Sequence, residues 1–168
     1  ILFLGDVVGK SGRRALRRLI PELQDEPEAD LTVVNAENAA GGFGVTAGVL
    51  EEFLEQCEID VLTSGNHIWD KREALDLIQD EPRLLRPHNY PEGTPGSGWT
   101  VATASNGVRV GVLNIMGTVF MHPTLDCPFS SANLAIEKKP SDVQAVLVDF
   151  HAEATSEKVA MGWYLDGR

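Results

Sequence analysis

The sequence predicts an α/β fold, with strands and helices packed in layers as a sandwich. Short, β-branched apolar runs alternate with helix-type patterns through the first half, which is typical of parallel strands joined by helices. The second half opens with two alternating runs, 99–104 and 108–115, on either side of Asn106-Gly107, a strong hairpin signal. Neither an internal repeat nor a second domain boundary interrupts the chain, so we expect one domain over residues 1–168.

Three strand–helix units are expected in the first half. The predicted strands, all read as buried, cover residues 1–5, 31–36 and 60–64. A first amphipathic helix is expected from Gly12, with Pro21 kinking or restarting it. The second helix has Thr46 as its N-cap and ends near Cys57, and a short charged helix is expected over 70–79.

The remaining elements of the second half follow the hairpin. An irregular loop is expected over 118–129, and then a helix over 130–138. A further buried strand covers 145–150. The last helix is capped by Thr155 and ends near residue 166.

Composition limits the class of protein. A formal charge of -11 over 168 residues argues against a stable complex with nucleic acid, although metal cations at a site can still attract a small phosphate ester. No apolar run approaches the ~20 residues that cross a bilayer, so no membrane partner is expected. The two cysteines, Cys57 and Cys127, form no disulfide framework and predict a cytoplasmic protein with reduced thiols.

Polar side chains follow four of the predicted strands at the point where each strand ends. These candidate site residues are Asp6, Glu37, Asn38, Asn66, His67 and His151. The carboxyl ends of strands are where sites form in open α/β sheets, so we expect these groups to meet at one rim. Carboxylate, amide and imidazole ligands suit Mn, Fe, Zn or Mg, and a carboxylate such as Glu37 can bridge two ions.

Structural explanations compete with this interpretation at each position. Asp6 could cap a helix, Asn66 favours turns, and a lone histidine such as His151 is more often a core residue with satisfied hydrogen bonds. The set as a whole favours a metal site.

A nucleotide-triphosphate loop at residues 5–11 is rejected because three residues, not four, separate its glycines before Lys10-Ser11. A serine hydrolase is favoured even less, because no G-x-S-x-G motif is present.

Several longer motifs resemble the calcineurin-like metallophosphoesterases, and most closely their YmdB-like bacterial branch. The resemblance covers essentially the whole chain and rests on AENAAGGFG (36–44), GNHIW (65–69), LLRP (84–87), Asn89-Tyr90 and DFHAEATSEK (149–158). In the wider superfamily the first motif is D-x-H, but Val8 stands where that histidine would be. Glu37 likewise replaces an aspartate, and both departures match the YmdB-like branch.

The resemblance implies a sandwich of two mixed sheets flanked by helices, with the metal site at the carboxyl ends of strands. It implies a di-metal phosphodiesterase that acts on cyclic nucleotides, 2′,3′-cyclic AMP among them, with Fe or Mn as the metals. Asp6, Glu37 and Asn38 would hold one ion, and Glu37, Asn66 and His151 the other. A metal-bridging hydroxide would attack phosphorus, with His67 as proton donor to the leaving oxygen.

Members of this branch continue past the point that matches Arg168 into a T-H-T-H segment with two further histidine ligands. We therefore expect the 168 residues to be incomplete at the C-terminal side. An alternative function, a regulatory module that binds a nucleotide or a protein and has vestigial catalysis, stays open. So does a homo-oligomer, because Trp69, Trp99 and Trp163 fit a core or an interface equally well.

Overall fold

The first sheet consists of three parallel strands that bring the N-terminal site residues to one edge. The computed structural model describes residues 1–25 and 29–168. Strands β1 (Leu2–Leu4), β2 (Thr32–Asn35) and β3 (Val61–Thr63) pair in the order β1-β2-β3. The central strand β2 is buried along its whole length, as expected for a parallel sheet covered on both faces.

Helices cover the outer face of this sheet. They are α1 (Gly9–Asp25), α2 (Ala47–Glu51) with a π-helical turn (Glu52–Gln56), a 3-10 helix (Asn66–Trp69) and α3 (Ala74–Asp80). Their apolar side chains form one cluster with the sheet, in which Phe53, Leu62 and Ile68 are fully buried. The predicted Thr46 N-cap is confirmed, because its hydroxyl accepts from the Val49 N–H at 3.4 Å.

The second sheet is formed by β4 (Trp99–Thr103), β5 (Arg109–Met116) and β6 (Ala145–His151). β4 and β5 form the predicted antiparallel hairpin, and β6 pairs with β5 in parallel. Helices α4 (Pro128–Glu137) and α5 (Thr155–Leu165) pack on its outer face with Leu113 and Ile115. The two-sheet α/β fold is confirmed, with the difference that the three described strands of the first sheet are all parallel rather than mixed.

An apolar layer joins the inner faces of the two sheets. Leu31, Val33 and Val61 of the first sheet share a cluster with Val110 and Val112 of the second. Side chains from both sheets are fully excluded from solvent there, so this layer sets the spacing of the sandwich.

Some element predictions were wrong in detail. β1 and β6 are partly exposed rather than buried, with Phe3 39% accessible, because each lies at the edge of its described sheet. α1 begins at Gly9 and continues through Pro21. Proline has no backbone N–H, so it cannot pair with the carbonyl one helical turn earlier. Because Pro21 lies on the solvent side of the helix, that carbonyl stays outside the core. Thr155 is the first residue of α5 rather than its cap.

Among the described residues, no helix combines the length and apolar character that crossing a bilayer requires.

Candidate metal centre

Five of the six predicted site residues line one cavity of about 420 Å³. Glu37 and Asn38 follow β2, Asn66 and His67 begin the 3-10 helix after β3, and His151 is the last residue of β6. The three strands end at the same edge of the sandwich because β2 and β3 are parallel neighbours and β6 ends beside them. The sixth predicted residue lies next to the cavity rather than in its lining.

That sixth residue, Asp6, is exposed and contacts the site through Asn38. The Asn38 Nδ2 donates to both carboxylate oxygens of Asp6, at 3.0 and 2.9 Å. The first turn of α1 is tied to the same loop, because the Gly9 N–H donates to the Asn38 carbonyl at 2.9 Å. These bonds position the β1 and β2 strand ends side by side.

Glu37 is the central group of the cavity. Only 1% of the residue is accessible, and its Oε1 accepts the His67 backbone N–H at 3.0 Å. Its Oε2 has no hydrogen-bond partner among the described residues, although His151 Nδ1 lies 3.1 Å away. Burial raises the pKa of the Glu37 carboxyl above its ordinary value, and the neighbouring His151 opposes this shift.

The ring of His151 lies between a carboxylate and an amide. Its Nδ1 faces Glu37, and its Nε2 is 3.0 Å from the Asn66 Oδ1. A carboxylate, an imidazole and an amide oxygen are therefore in contact in series at the end of β6. Each of these is a ligand type that hard and borderline divalent metals accept.

His67 has a partner that the sequence interpretation missed. The ring is partly exposed at the cavity, and its Nδ1 lies 2.7 Å from the Asp70 Oδ2. The His-x-x-Asp spacing on a short helix is the signal that could have indicated this pair, because residues three apart share a helix face. The carboxylate holds the imidazole in one orientation through its contact with Nδ1.

Gly65 lets Glu37 and His151 approach each other. A Cβ added at this position would lie 2.2 Å from the Glu37 Oε2 and 2.6 Å from the His151 Cδ2. In the sequence this glycine follows the predicted strand 60–64 and opens the GNHIW motif. Its physical role is close packing, since any side chain would occupy the space where the two groups meet.

Asp149 ties the two sheets together beneath the cavity. Its Oδ2 accepts from the Asn35 Nδ2 at 2.9 Å and from the Thr63 Oγ1 at 2.5 Å, so one carboxylate of β6 binds both β2 and β3. His151 lies two residues after Asp149 on the same strand, β6. The tie therefore fixes the end of β6 relative to the strand ends of the first sheet.

Glu157 holds the loop that forms the other wall of the cavity. It is 6% accessible, and its carboxylate accepts the backbone N–H groups of Thr118 and Val119 at 2.9 and 3.3 Å. The same loop continues to Phe120 and His122, which line the cavity. His122 lies within the irregular loop expected over 118–129.

Two buried polar side chains lie outside the cavity lining and share one acceptor. Ser64 Oγ donates to the Leu85 carbonyl at 2.7 Å, and the Asn114 Nδ2 donates to the same carbonyl at 3.1 Å. Asn114 is fully buried and does not line the cavity. Both side chains fasten the segment after α3 to the sandwich.

The donor set fits metal ions in its chemistry. The unpartnered, buried Glu37 Oε2 is an anionic oxygen that lacks the hydrogen bond such an atom normally has, and a cation would satisfy it. Within residues 1–25 and 29–168, no three His, Cys, Asp or Glu side chains form a ready metal-holding group. The candidate ligands around Glu37 include the side-chain amides of Asn38 and Asn66. Asparagine is not one of these four residue types.

Comparison with known proteins identifies the family of the chain. The family model described as YmdB-like protein matches residues 2–168. A 2′,3′-cyclic-nucleotide 2′-phosphodiesterase of Bacillus subtilis is 46% identical over 168 residues, which cover 100% of this chain and 62% of that protein.

Two solved structures have the same fold. A hypothetical protein from Thermus thermophilus superposes with a TM-score of 0.90 at 39% identity, covering 99% of this chain and 63% of the other. A Mycoplasma pneumoniae protein described as a novel phosphatase gives 0.87 at 34% identity, covering 98% and 59%. The chain thus spans about three-fifths of the length of each of these relatives. On the match over residues 2–168 and these identities, the chain belongs to the YmdB-like protein family.

Proposed function

We propose that this protein is a metal-dependent phosphodiesterase that hydrolyses cyclic nucleotides such as 2′,3′-cyclic AMP. The observation that carries the proposal is the buried, unpartnered Glu37 Oε2 among His151, Asn66 and His67 at a cavity of about 420 Å³. The Bacillus subtilis relative, named for the cleavage of 2′,3′-cyclic nucleotides, supports the substrate class.

The proposed ligands fall into two groups that share Glu37. Asp6, Glu37 and Asn38 would hold one ion, and Glu37, Asn66 and His151 the other. Two such ions, Fe or Mn in this proposal, supply positive charge for the phosphodiester and lower the pKa of a water when bound.

His67 would act as the proton donor to the leaving oxygen. The Asp70 carboxylate, 2.7 Å from Nδ1, favours a proton on that nitrogen and keeps the ring from turning. With Nδ1 so engaged, the Nε2–H of the protonated ring is the group that gives its proton to the ribose oxygen released from phosphorus. A positioned acid of this kind contributes about 10²–10⁴ in rate.

The test combines metal analysis with turnover. Protein purified without chelator should contain close to two transition-metal ions per chain and should hydrolyse 2′,3′-cyclic AMP. His67→Ala should lower kcat by about 10²–10⁴ with its metal content intact, whereas Asn66→Ala should lose metal first. Near-zero metal after Mn or Fe is supplied would refute the enzyme and favour the alternative of a regulatory binding module.

We propose a cytoplasmic location, with a small phosphodiester as the partner. Cys57 and Cys127 are both free, which suits a reducing compartment. Titration of the native-source protein should find two reduced thiols per chain, and a disulfide in that material would contradict the proposal. Trp163 is 77% accessible, and a large apolar side chain in this position fits an interface between copies of the chain. Sedimentation measurements would test whether such a homo-oligomer forms.

A further inference from the structure

A second cavity of about 360 Å³ lies between β4, α4 and the segment 88–90. None of the proposed metal ligands lines it, and neither does His67. Its walls include His88, Trp99, Ser131 and Lys138. The volume is in the range of pockets that hold small organic ligands.

The walls of this cavity are held by backbone and amide hydrogen bonds. The His88 N–H donates to the Asn114 carbonyl at 2.7 Å. The Asn89 side chain donates to the carbonyls of Met116 and Asp126 at 2.8 and 2.9 Å, and it accepts the Met116 N–H at 3.0 Å. The site is therefore preformed, which lowers the entropic cost of binding.

One cationic group and several hydrogen-bonding groups line this cavity. Lys138 is exposed, and within the part of the chain that the structure describes its ammonium has no ion-pair partner. Burial lowers the pKa of the neighbouring His88, and the positive charges of Arg86 and Lys138 lower it further. The Lys138 ammonium can therefore pair with an anionic group of a ligand, while the Asp126 carboxylate of the same lining is an acceptor for the ligand's donors.

The lining also offers a planar surface. The Trp99 indole lies directly against Gly111, where an added Cβ would come within 2.3 Å of the ring, and the indole remains partly exposed. Leu134 and Ala135 extend this apolar wall. Aromatic side chains stack favourably on planar heterocycles, with about 1–3 kcal/mol per base in nucleic-acid complexes.

We propose that this cavity binds a small anion carrying a planar ring, of the nucleoside monophosphate class, at a site separate from the metal centre. The anion would face Lys138 and the His88 ring, and the base would face Trp99. The carboxylate of Asp126 would accept hydrogen bonds from a ribose hydroxyl or an exocyclic amine. This assignment depends on the lining residues alone and not on the proposed activity.

The experiment is calorimetric titration of the metal-loaded protein with adenosine 5′-monophosphate. Three proteins are compared: the wild type, Lys138→Glu, and Lys139→Glu, which has the same charge change on the neighbouring residue outside the cavity. We expect the wild type and Lys139→Glu to bind one more nucleotide per chain than Lys138→Glu. Leu134→Trp, which fills the cavity from an exposed position without changing charge, should also remove that site.

The outcomes separate this proposal from the proposed enzyme. If the metal centre does not bind nucleotide, all stoichiometries fall by one while the difference between the wild type and Lys138→Glu remains. Equal stoichiometry in the wild type and both cavity variants would overturn the second site, as would equal losses in Lys138→Glu and Lys139→Glu. Inorganic phosphate should bind there at least tenfold more weakly, and equal affinity would refute recognition of the ring.

Discussion

Replacing Gly65 with alanine should disrupt the candidate metal centre without touching a charged group. The new Cβ would lie 2.2 Å from the Glu37 Oε2 and 2.6 Å from the His151 Cδ2, whereas real Cβ contacts are essentially never under 3.0 Å. The carboxylate oxygen must therefore retreat by about 0.8 Å or more. Glu37 is buried and cannot move outward freely, so we expect a loss of about 1–3 kcal/mol in the free energy of unfolding.

The displacement should have a larger effect on function than on stability. A misplacement of about 1 Å at a reacting centre can cost ~10²-fold in rate. Gly65→Ala should therefore reduce the hydrolysis of 2′,3′-cyclic AMP by about two orders of magnitude and release metal at lower chelator concentrations. Urea unfolding, metal analysis and steady-state kinetics on the same preparation measure the three effects.

Gly48→Ala is the matched control. Gly48 is exposed in α2 with nothing within 4 Å of its added Cβ, so this substitution should raise stability by about 0.5–1 kcal/mol and leave activity unchanged. Shortening the clashing side chain with Glu37→Asp should reduce the stability cost of Gly65→Ala. An equal cost in both backgrounds, or wild-type metal content in Gly65→Ala, would refute the close-packing argument.

The other predictions concern residues around the two cavities. Asp149→Ala leaves two buried donors without their shared acceptor and should cost about 2–5 kcal/mol of unfolding free energy in urea; a cost below about 1 kcal/mol would contradict the inter-sheet tie. Asp70→Asn should lower kcat by about tenfold or more with metal content and KM little changed, and an unchanged kcat would remove this carboxylate from the orientation of the imidazole. Glu157→Gln should weaken the loop wall and raise KM more than it lowers kcat, which steady-state kinetics can separate. The pKa of His88 in the folded protein lies below its ordinary 6.5, so protonation of this ring favours the unfolded chain. The free energy of unfolding should therefore fall as the pH decreases through about 6.5, until the folded pKa is reached. His88→Gln should flatten that decline in urea titrations carried out between about pH 8 and pH 5.

Local patterns were sufficient for most of the fold. The hairpin around Asn106-Gly107, the N-cap at Thr46 and the apolar strands follow from turn chemistry and hydrophobic periodicity, which are properties of neighbouring residues. Burial of β1 and β6 was predicted wrongly. An apolar run is the same in sequence whether its strand is central or at an edge, and only strand order decides which.

The candidate site was predictable in its members but not in its contacts. Strand-end positions indicated Glu37, Asn66 and His151 because parallel strands present their carboxyl ends at one edge. The 3.1 Å approach of His151 to Glu37 depends on the packing of β6 against the first sheet, across more than a hundred residues of chain.

The sequence by itself determined which residue types stand at the strand ends, the alternation of strands and helices, and the family to which the chain belongs. These depend on residue type and on short-range spacing. Only the tertiary structure decided that Gly65 is required by packing, that Asp149 joins the two sheets and that Glu157 holds the loop over the cavity. Each of these roles arises from atoms distant in sequence meeting within about 3 Å, and such meetings depend on how the layers pack rather than on any local pattern.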